Sequence, residues 1–343
     1  MEQLSPIEGF FIQSTEGLIF DVKGISHPKD RVIAFVRYIP PKILFSDPNQ
    51  RKGYSKIFDL RERYKFLLKH FPDYLFNDPK GRGLLQAVPL EKIDEIFDPR
   101  KKLQELFIQD KKNHLISSTL ELTENIRIAS RIESTCMGIS GSLLVDLATE
   151  TSDIDLVIYG LENGKKVFDS MNGVFSNSKQ ITRYSEEELF KLWNARGQTE
   201  EINFQTFFEN EKRKNLQGKI NGIDFYIRLV PFLQESYEIY EDITIEPYGE
   251  LEIEAEIIND SLAIFTPCIY DLKDVKNISG DKNLEKCLPA RIYSVRGRYC
   301  EIAVIGETIL AKGKLERVTT KEGIFYQLVL GTTKNEYFCK SQL

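Results

Sequence analysis

The first hundred residues alternate short apolar runs with Gly and Pro, a pattern typical of β-strands separated by turns. One later segment instead repeats Leu60, Tyr64 and Leu67 at helical spacing, and Pro72 marks its end. The predicted elements are strands at residues 9–12, 17–22 and 31–39, a helix at 58–71, extended pieces at 74–76 and 81–89, and one or two helical turns at 90–97. We expect an α+β unit without a catalytic constellation, whose basic and aromatic side chains suit either nucleic acid or solvent.

The middle of the chain is predicted to be mainly helical, with three short strands between the helices. The predicted helices lie within residues 99–133 and at 165–171, 185–195 and 201–215, and the strands lie at 135–139, 156–159 and 223–229. Ser118 or Thr119 is the expected N-cap of the second helix, and Ser185 with Glu188 forms a capping box. The pair 221–222, Asn-Gly, predicts a tight turn before the last of these strands.

The last hundred residues are predicted to be β-rich. Residues 251–257 alternate apolar and acidic side chains with a period of two, and later apolar runs are punctuated by Gly297, Gly306, Gly313 and Gly323. The further predicted strands are 261–265, 290–295, 299–305, 308–312, 315–318, 323–330 and 336–339. Short strands at this spacing predict a small β-barrel. The fold class is therefore α+β, with predicted domains at residues 1–100, 101–235 and 236–343.

Residues 141–160 carry the strongest chemical signal. Nine residues separate Gly141-Ser142 from Ser152, which directly precedes Asp153 and Asp155 and the apolar run that follows them. Alternate side chains of a strand share a face, so both carboxylates should point the same way from a rigid strand. Magnesium prefers hard oxygen ligands and is usually held by one or two carboxylates plus substrate phosphates, while a glycine lets backbone amides approach a phosphate closely.

A third carboxylate follows on the strand predicted at residues 223–229. There Asp224, Tyr226 and Arg228 share one face, and the apolar side chains between them share the other. The sequence thus supplies three carboxylates on two strands, each backed by an apolar face. The alternative to a metal site is an Asp-rich turn that enters a core strand, together with a strand carboxylate that is only exposed to solvent.

These motifs resemble the signature of the DNA-polymerase-β-like nucleotidyltransferase superfamily, in which Gly-Ser precedes a hydrophobic-flanked Asp-x-Asp and a third carboxylate lies on a later strand. The resemblance covers about residues 117–231, and the overall layout is similar to uncharacterised archaeal proteins predicted to be nucleotidyltransferases. It implies a central catalytic domain with a short mixed sheet and helices. The chain departs from many relatives at residues 145–147, Val-Asp-Leu, where a basic residue and a glycine are common.

The resemblance also implies roles for individual residues. Asp153 and Asp155 would hold two Mg²⁺ ions, with Mn²⁺ as an alternative, and Asp224 would share the second. Gly141 and Ser142 would cradle the phosphates of a nucleoside triphosphate such as ATP. The remaining residues expected near the nucleotide are Ser152, Lys212 and Arg213. The two basic residues equally suit a helix C-terminus, where cations interact with the dipole.

Charge and composition narrow the partners only slightly. The net charge is −6, and residues 236–260 hold nine acidic and no basic side chains. Five scattered cysteines, no apolar run near the ~18 residues of a membrane span and no signal-peptide pattern predict a cytoplasmic protein with reduced thiols and no membrane partner. RNA is the expected acceptor. A protein or small metabolite, and a catalytically silent nucleotide- or RNA-binding module, stay open, as does the oligomeric state.

Overall fold

The computed structural model of the chain describes residues 6–41, 43, 50–51, 53–110, 113–196, 201–236, 239–280, 286–332 and 335–341. Within these residues, helices and three β-sheets make a mixed α+β protein, as predicted. The chain divides into two compact units, which we call the first unit (Met1–Ser170 with Ile220–Glu241) and the second unit (Met171–Lys219 with Asp242–Leu343). The three-part division expected from the sequence stays a prediction.

The regular elements are numbered here in chain order. The strands are β1 (Phe11–Ser14), β2 (Ile19–Val22), β3 (Arg31–Ile39), β4 (Gln50–Arg51), β5 (Tyr54–Lys56), β6 (Leu75–Asp78), β7 (Gly83–Pro89), β8 (Ile93–Phe97), β9 (Met137–Ile139), β10 (Ile154–Tyr159), β11 (Ile181–Thr182), β12 (Gln217–Ile220), β13 (Ile223–Val230), β14 (Thr244–Leu262), β15 (Cys268–Gly280), β16 (Arg291–Ser294), β17 (Thr308–Thr319), β18 (Ile324–Leu330) and β19 (Tyr337–Lys340). The helices are α1 (Leu60–His70), α2 (Pro99–Ile108), α3 (His114–Ser130), α4 (Gly141–Leu144), α5 (Leu161–Asn177), α6 (Glu186–Arg196) and α7 (Phe204–Glu211).

The large sheet of the first unit has the order β4-β5-β3-β2-β1-β8, and β7 pairs with both β3 and β6. Strand β3 has the predicted bounds, and α1 follows as predicted with Asp59 accepting hydrogen bonds from the first turn. The helical prediction for residues 90–97 is wrong beyond Lys92, because Ile93–Phe97 forms β8 and pairs with β1. Backbone pairing at the sheet edge outweighs the local spacing there.

In a smaller sheet, β10 runs antiparallel to β9 and parallel to β13, and these three strands belong to the first unit. The tight turn before β13 is confirmed, since Asn221 and Gly222 both have positive φ. The predicted cap of α3 is wrong. Asn113 caps the helix, and the Thr119 hydroxyl instead donates to the backbone carbonyl of Leu115 at 2.8 Å.

The two sheets of the first unit share one hydrophobic core. Phe10 and Phe20 from the large sheet belong to the same buried cluster as Val157, Tyr159 and Val230. Side chains at 155, 157 and 159 share a face of β10, so the large sheet covers the face that carries Asp155. Strand β10 is consequently buried on both sides, and Asp155 is its only residue that is partly exposed.

In the second unit, α6 begins with the predicted capping box. The Glu188 carboxylate accepts from the Ser185 amide at 2.8 Å, and the Ser185 hydroxyl accepts from the Glu188 amide at 3.3 Å. Helix α7 is shorter than the predicted 201–215 because Asn203 caps its start.

The C-terminal strands form a closed ring of pairings. The order is β14-β15-β16-β18-β17, β17 pairs back with β14, and β19 lies beside β17. Only β16 and β18 are parallel among the described strands of this ring. Inside lies a buried cluster that includes Ile253, Tyr270, Ile292 and Leu328.

The sequence pattern missed one C-terminal strand, and two predictions in this region are wrong. Residues 268–280 form β15, which the sequence pattern did not indicate, and the strand predicted at 299–305 is instead a short 3₁₀ turn, Gly297–Tyr299, followed by a loop. The turn expected at Gly313 lies inside β17. A Cβ there would stand 2.5 Å from the Val329 carbonyl oxygen, so the glycine permits close contact between strands.

The acidic stretch at residues 236–260 lies mostly in β14, where its side chains form ion pairs with neighbouring strands. Glu254 pairs with Lys276 and Glu256 with Lys273, both at 2.8 Å. Glu246 and Asp242 likewise pair with Arg317 and Lys321, so part of the acidic charge is balanced within the second unit. All five cysteines are free thiols, and in the described part of the chain no helix is long and apolar enough to cross a membrane.

Candidate active site

The three predicted carboxylates lie at one edge of the small sheet. Asp153 directly precedes β10 and is exposed, whereas Asp155 is the second residue of β10 and is half-buried. In the parallel pairing of β10 with β13, Asp155 stands opposite Tyr226. When this register is extended by two residues toward the start of both strands, the exposed Asp224 lies beside Asp153. The strand pairing thus brings all three residues to the same end of the two strands.

Gly141 connects β9 to α4 immediately beside Asp155. The amide of Ser140 donates to the Asp155 carbonyl oxygen at 2.8 Å, and Gly141 follows with φ +64°. A Cβ at residue 141 would stand 3.0 Å from Asp155 Cγ and closer still to its Oδ2. Only glycine therefore fits, and the buried Ser142 follows it.

The loop between α4 and β10 is fixed by its own contacts. The Ser152 hydroxyl accepts from the Thr149 amide at 2.9 Å, which closes the turn before Asp153. Asp146 adopts φ +56°, and it pairs with Lys102 at 2.8 Å. Aspartate tolerates this left-handed conformation better than most residues. The nucleotide-binding assignments of Ser142 and Ser152 stay predictions.

Burial and a neighbouring carboxylate both act on Asp155. Burial first, and then the charge of Asp153, raise the pKa of Asp155 to about 6. The guanidinium groups of Arg228 and Arg37 oppose this shift, while Asp21 adds to it. The charged form of Asp155 is thus disfavoured until a cation compensates it.

A divalent cation suits this donor set, although the described residues contain no group of three or more His, Cys, Asp or Glu side chains able to hold a metal ion. Asp153 and Asp155 are two hard oxygen donors whose mutual repulsion a cation would relieve. Asp224 stands on the adjoining strand. Mg²⁺ is commonly held by one or two carboxylates plus substrate phosphates, so the pair is sufficient for such an ion.

Sequence reasoning placed no site residue in the first hundred residues, but a charged network from this region contacts Arg228 of β13. The buried Glu8 accepts from Arg228 at 2.6 Å, from Lys23 at 3.2 Å and from the Gly24 amide at 2.7 Å. Lys23 also pairs with Asp21 at 2.8 Å. Although burial acts in the opposite direction, Lys23 and Arg228 hold the pKa of Asp21 below its ordinary value.

The sequence around these charged residues gives little indication that they form a network. Arg228 shares the face of Asp224 and was visible from strand alternation, whereas Glu8 lies before the first strand in a segment with no motif. Its role depends on the packing of the large sheet over β10. The Ser140 hydroxyl donates to the Gly9 carbonyl oxygen at 2.6 Å, and the Tyr159 hydroxyl donates to that of Glu8 at 3.3 Å.

Lys212 and Arg213 belong to the second unit and have partners there. Lys212 pairs with Glu209 at 2.6 Å and lies over the Phe208 ring. Arg213 pairs with Glu307 at 3.1 Å. Their assignment to nucleotide binding stays a prediction.

Asp153 and Asp155 lie at the start of a strand that is buried on both faces, and the turn at Gly141 lies against Asp155. The chain is therefore an α+β protein with a candidate cation- and phosphate-binding site. The chain belongs to the same family as "Uncharacterized protein MJ1086" of Methanocaldococcus jannaschii, to which it is 30% identical over 339 residues, 95% of this chain and 96% of that protein. The expected likeness to an uncharacterised archaeal protein is thus confirmed. No family model and no solved structure matches the chain.

Proposed function

We propose that the protein is a metal-dependent nucleotidyltransferase that moves a nucleoside monophosphate from a nucleoside triphosphate to an acceptor hydroxyl and releases pyrophosphate. One observation carries this proposal above the others. The Asp155 carboxylate lies against the Gly141 backbone and in electrostatic contact with Asp153. This juxtaposition brings carboxylates for a cation next to a glycine turn suited to phosphate.

Each site residue has a role in the proposed reaction. Asp153 and Asp155 would hold Mg²⁺ or Mn²⁺, with Asp224 reaching the same site from β13. Bound there, two such ions would supply the charge that stabilises the attacking and leaving oxygens of an in-line displacement. Gly141 and Ser142 orient the phosphates, and Asp224 accepts the proton of the acceptor hydroxyl.

RNA is the acceptor that we propose. Support comes from basic and aromatic side chains that lie together on the large sheet. Arg37 and Lys56 lie 5.7 and 5.0 Å from the ring centre of Phe58, which is 62% exposed. An exposed ring flanked by cations is typical of surfaces that stack bases and neutralise phosphates.

We also propose that the ring of C-terminal strands is a small β-barrel that contributes to RNA binding. The outward Arg291 lies 4.5 Å from the ring centre of Phe325 and 5.6 Å from that of Tyr293. Arginine and aromatic side chains side by side suit nucleotide stacking, and five-stranded barrels often bind oligonucleotides.

A labelling assay tests the proposed reaction. The full-length protein is given each α-labelled nucleoside triphosphate with Mg²⁺ or Mn²⁺, with and without archaeal total RNA. The variant carrying Asp153→Asn and Asp155→Asn is compared with Asp169→Asn, which changes an exposed aspartate of α5. We expect labelled RNA from the wild type and from the control but not from the double variant.

The other outcomes reject or redirect the proposal. Full activity in the double variant would exclude these carboxylates as the metal site. Label on protein or on a small molecule would replace RNA as the acceptor. A folded protein that binds nucleotide but labels nothing would favour a catalytically silent module, the second candidate.

A further inference from the structure

A row of side chains crosses the large sheet beside the turn at Gly141. In the antiparallel pairing of β1 with β2, Phe11 stands opposite Asp21, and in the pairing of β2 with β3, Asp21 stands opposite Phe35. Directly opposed residues of antiparallel strands lie about 5 Å apart and point to the same face of the sheet. Phe11, Asp21 and Phe35 therefore form a continuous row on one face.

This face of the large sheet is the one against which the segment after Gly141 packs. Phe11 belongs to a buried cluster that also contains Leu144 of α4. Exposure increases along the row, because Phe11 is only 4% exposed whereas Asp21 and Phe35 are half-buried. Phe35 thus lies at the end of the row that a ligand can reach.

Hydrogen bonds connect the same row to the candidate site. The Ser140 amide donates to the Asp155 carbonyl oxygen at 2.8 Å, and the Ser140 hydroxyl donates to the Gly9 carbonyl oxygen at 2.6 Å. The carbonyl oxygen of the next residue, Phe10, accepts from the Val22 amide at 3.0 Å. Phe10 and Val22 each adjoin a residue of the row in sequence, so the row lies close to the start of β10.

The chemistry of the exposed end of the row suits the nucleoside part of a nucleotide. The ring centres of Phe35 and Tyr64 are 6.3 Å apart, and the rings meet at 71°. Such an edge contact leaves at least one face of the Phe35 ring uncovered by Tyr64. The Tyr64 hydroxyl donates to the Leu84 carbonyl oxygen at 2.9 Å, which fixes the supporting ring. The carboxylate of Asp21 beside Phe35 disfavours a phosphate there, whereas a base needs only an aromatic face.

We propose that Phe35 stacks against the base of the nucleoside triphosphate whose phosphates lie at Gly141. This assignment rests on the proposed function, because it needs a nucleotide at the carboxylates. It gives the large sheet a part in nucleotide binding that is distinct from RNA binding at Phe58, where the neighbouring side chains are cations. Since stacking depends little on the identity of the base, Phe35 should contribute affinity without selecting one nucleotide.

Binding of ATP and of inorganic tripolyphosphate in the presence of Ca²⁺, measured by calorimetry on the full chain, tests this assignment. We expect Phe35→Leu, which keeps an apolar side chain but removes the aromatic face, to weaken ATP binding about tenfold. Tripolyphosphate has no base, so its binding should be unchanged. Phe35→Tyr should retain most of the affinity for ATP. Phe76→Leu, which changes a half-buried phenylalanine of β6, is the matched control and should bind both ligands normally.

Three outcomes would overturn the assignment while the wild type still binds both ligands. These are normal ATP binding by Phe35→Leu, an equal loss of ATP and tripolyphosphate binding, which indicates a distorted site, and weaker RNA binding with normal ATP binding. A wild-type protein that binds neither ATP nor tripolyphosphate would instead refute the proposed function together with the assignment. The two failures are therefore distinguishable.

Discussion

Replacing Asp155 with asparagine should make the metal-free protein more stable at neutral pH. The pKa of Asp155 is raised from an ordinary 3.8 to about 6, chiefly by burial and then by Asp153. The folded state holds this proton more tightly than the unfolded state, so the stability penalty develops as pH rises from about 4 to about 6 and is complete above it. Two pKa units correspond to about 3 kcal/mol, and the partial exposure of Asp155 reduces the expectation to about 2 kcal/mol.

Chemical unfolding followed by circular dichroism between pH 4 and pH 8, with a chelator present, measures this difference. A chain with two units can unfold in more than one transition, so the comparison uses the transition that Asp155→Asn moves. Asp169→Asn controls for the change of an exposed aspartate. Added Mg²⁺ should stabilise the wild type and leave Asp155→Asn nearly unchanged. A stability difference that does not vary with pH, or one that favours the wild type as pH rises, would refute the reasoning.

Two further substitutions test the scaffold of the site. Gly141→Ala should destabilise the first unit by about 2 kcal/mol or more and remove nucleotide binding, because the added Cβ overlaps Asp155 and residue 141 needs positive φ. Unfolding measures the loss of stability and calorimetry measures nucleotide binding. Normal binding would show that the turn adapts to the added Cβ. Glu8→Ala should cost about 3 kcal/mol because it leaves Arg228 without its 2.6 Å partner; the unfolding midpoint measures this, and a change below about 0.5 kcal/mol would show that water replaces the pair.

The carboxylate strand was predictable because its information is local. Spacing from Gly141-Ser142 to Asp153, together with an apolar run, specifies a turn followed by a strand, and β10 forms there. The same holds for α1 and the Ser185 capping box, where neighbours within four residues decide the conformation. Such elements need no knowledge of distant partners.

The failures concern residues whose conformation depends on distant strands. Residues 93–97 became β8 because β1 offered an unpaired edge, and β15 formed from a mixed polar sequence because β14 and β16 flank it. Glu8 reaches Arg228 only because the packing of the large sheet over β10 and β13 brings them together. No periodicity within either segment encodes that approach.

The core that the two sheets of the first unit share has a consequence for modularity. A truncated chain that starts at residue 101 would uncover Val157 and Tyr159, which lie against residues of the large sheet. The segment that carries the carboxylate motif therefore depends on the large sheet and is not an independent folding module. If gene fusion replaced the N-terminal half during evolution, the new half would have to bury these two side chains again. The large sheet and the carboxylate strand should therefore be inherited together.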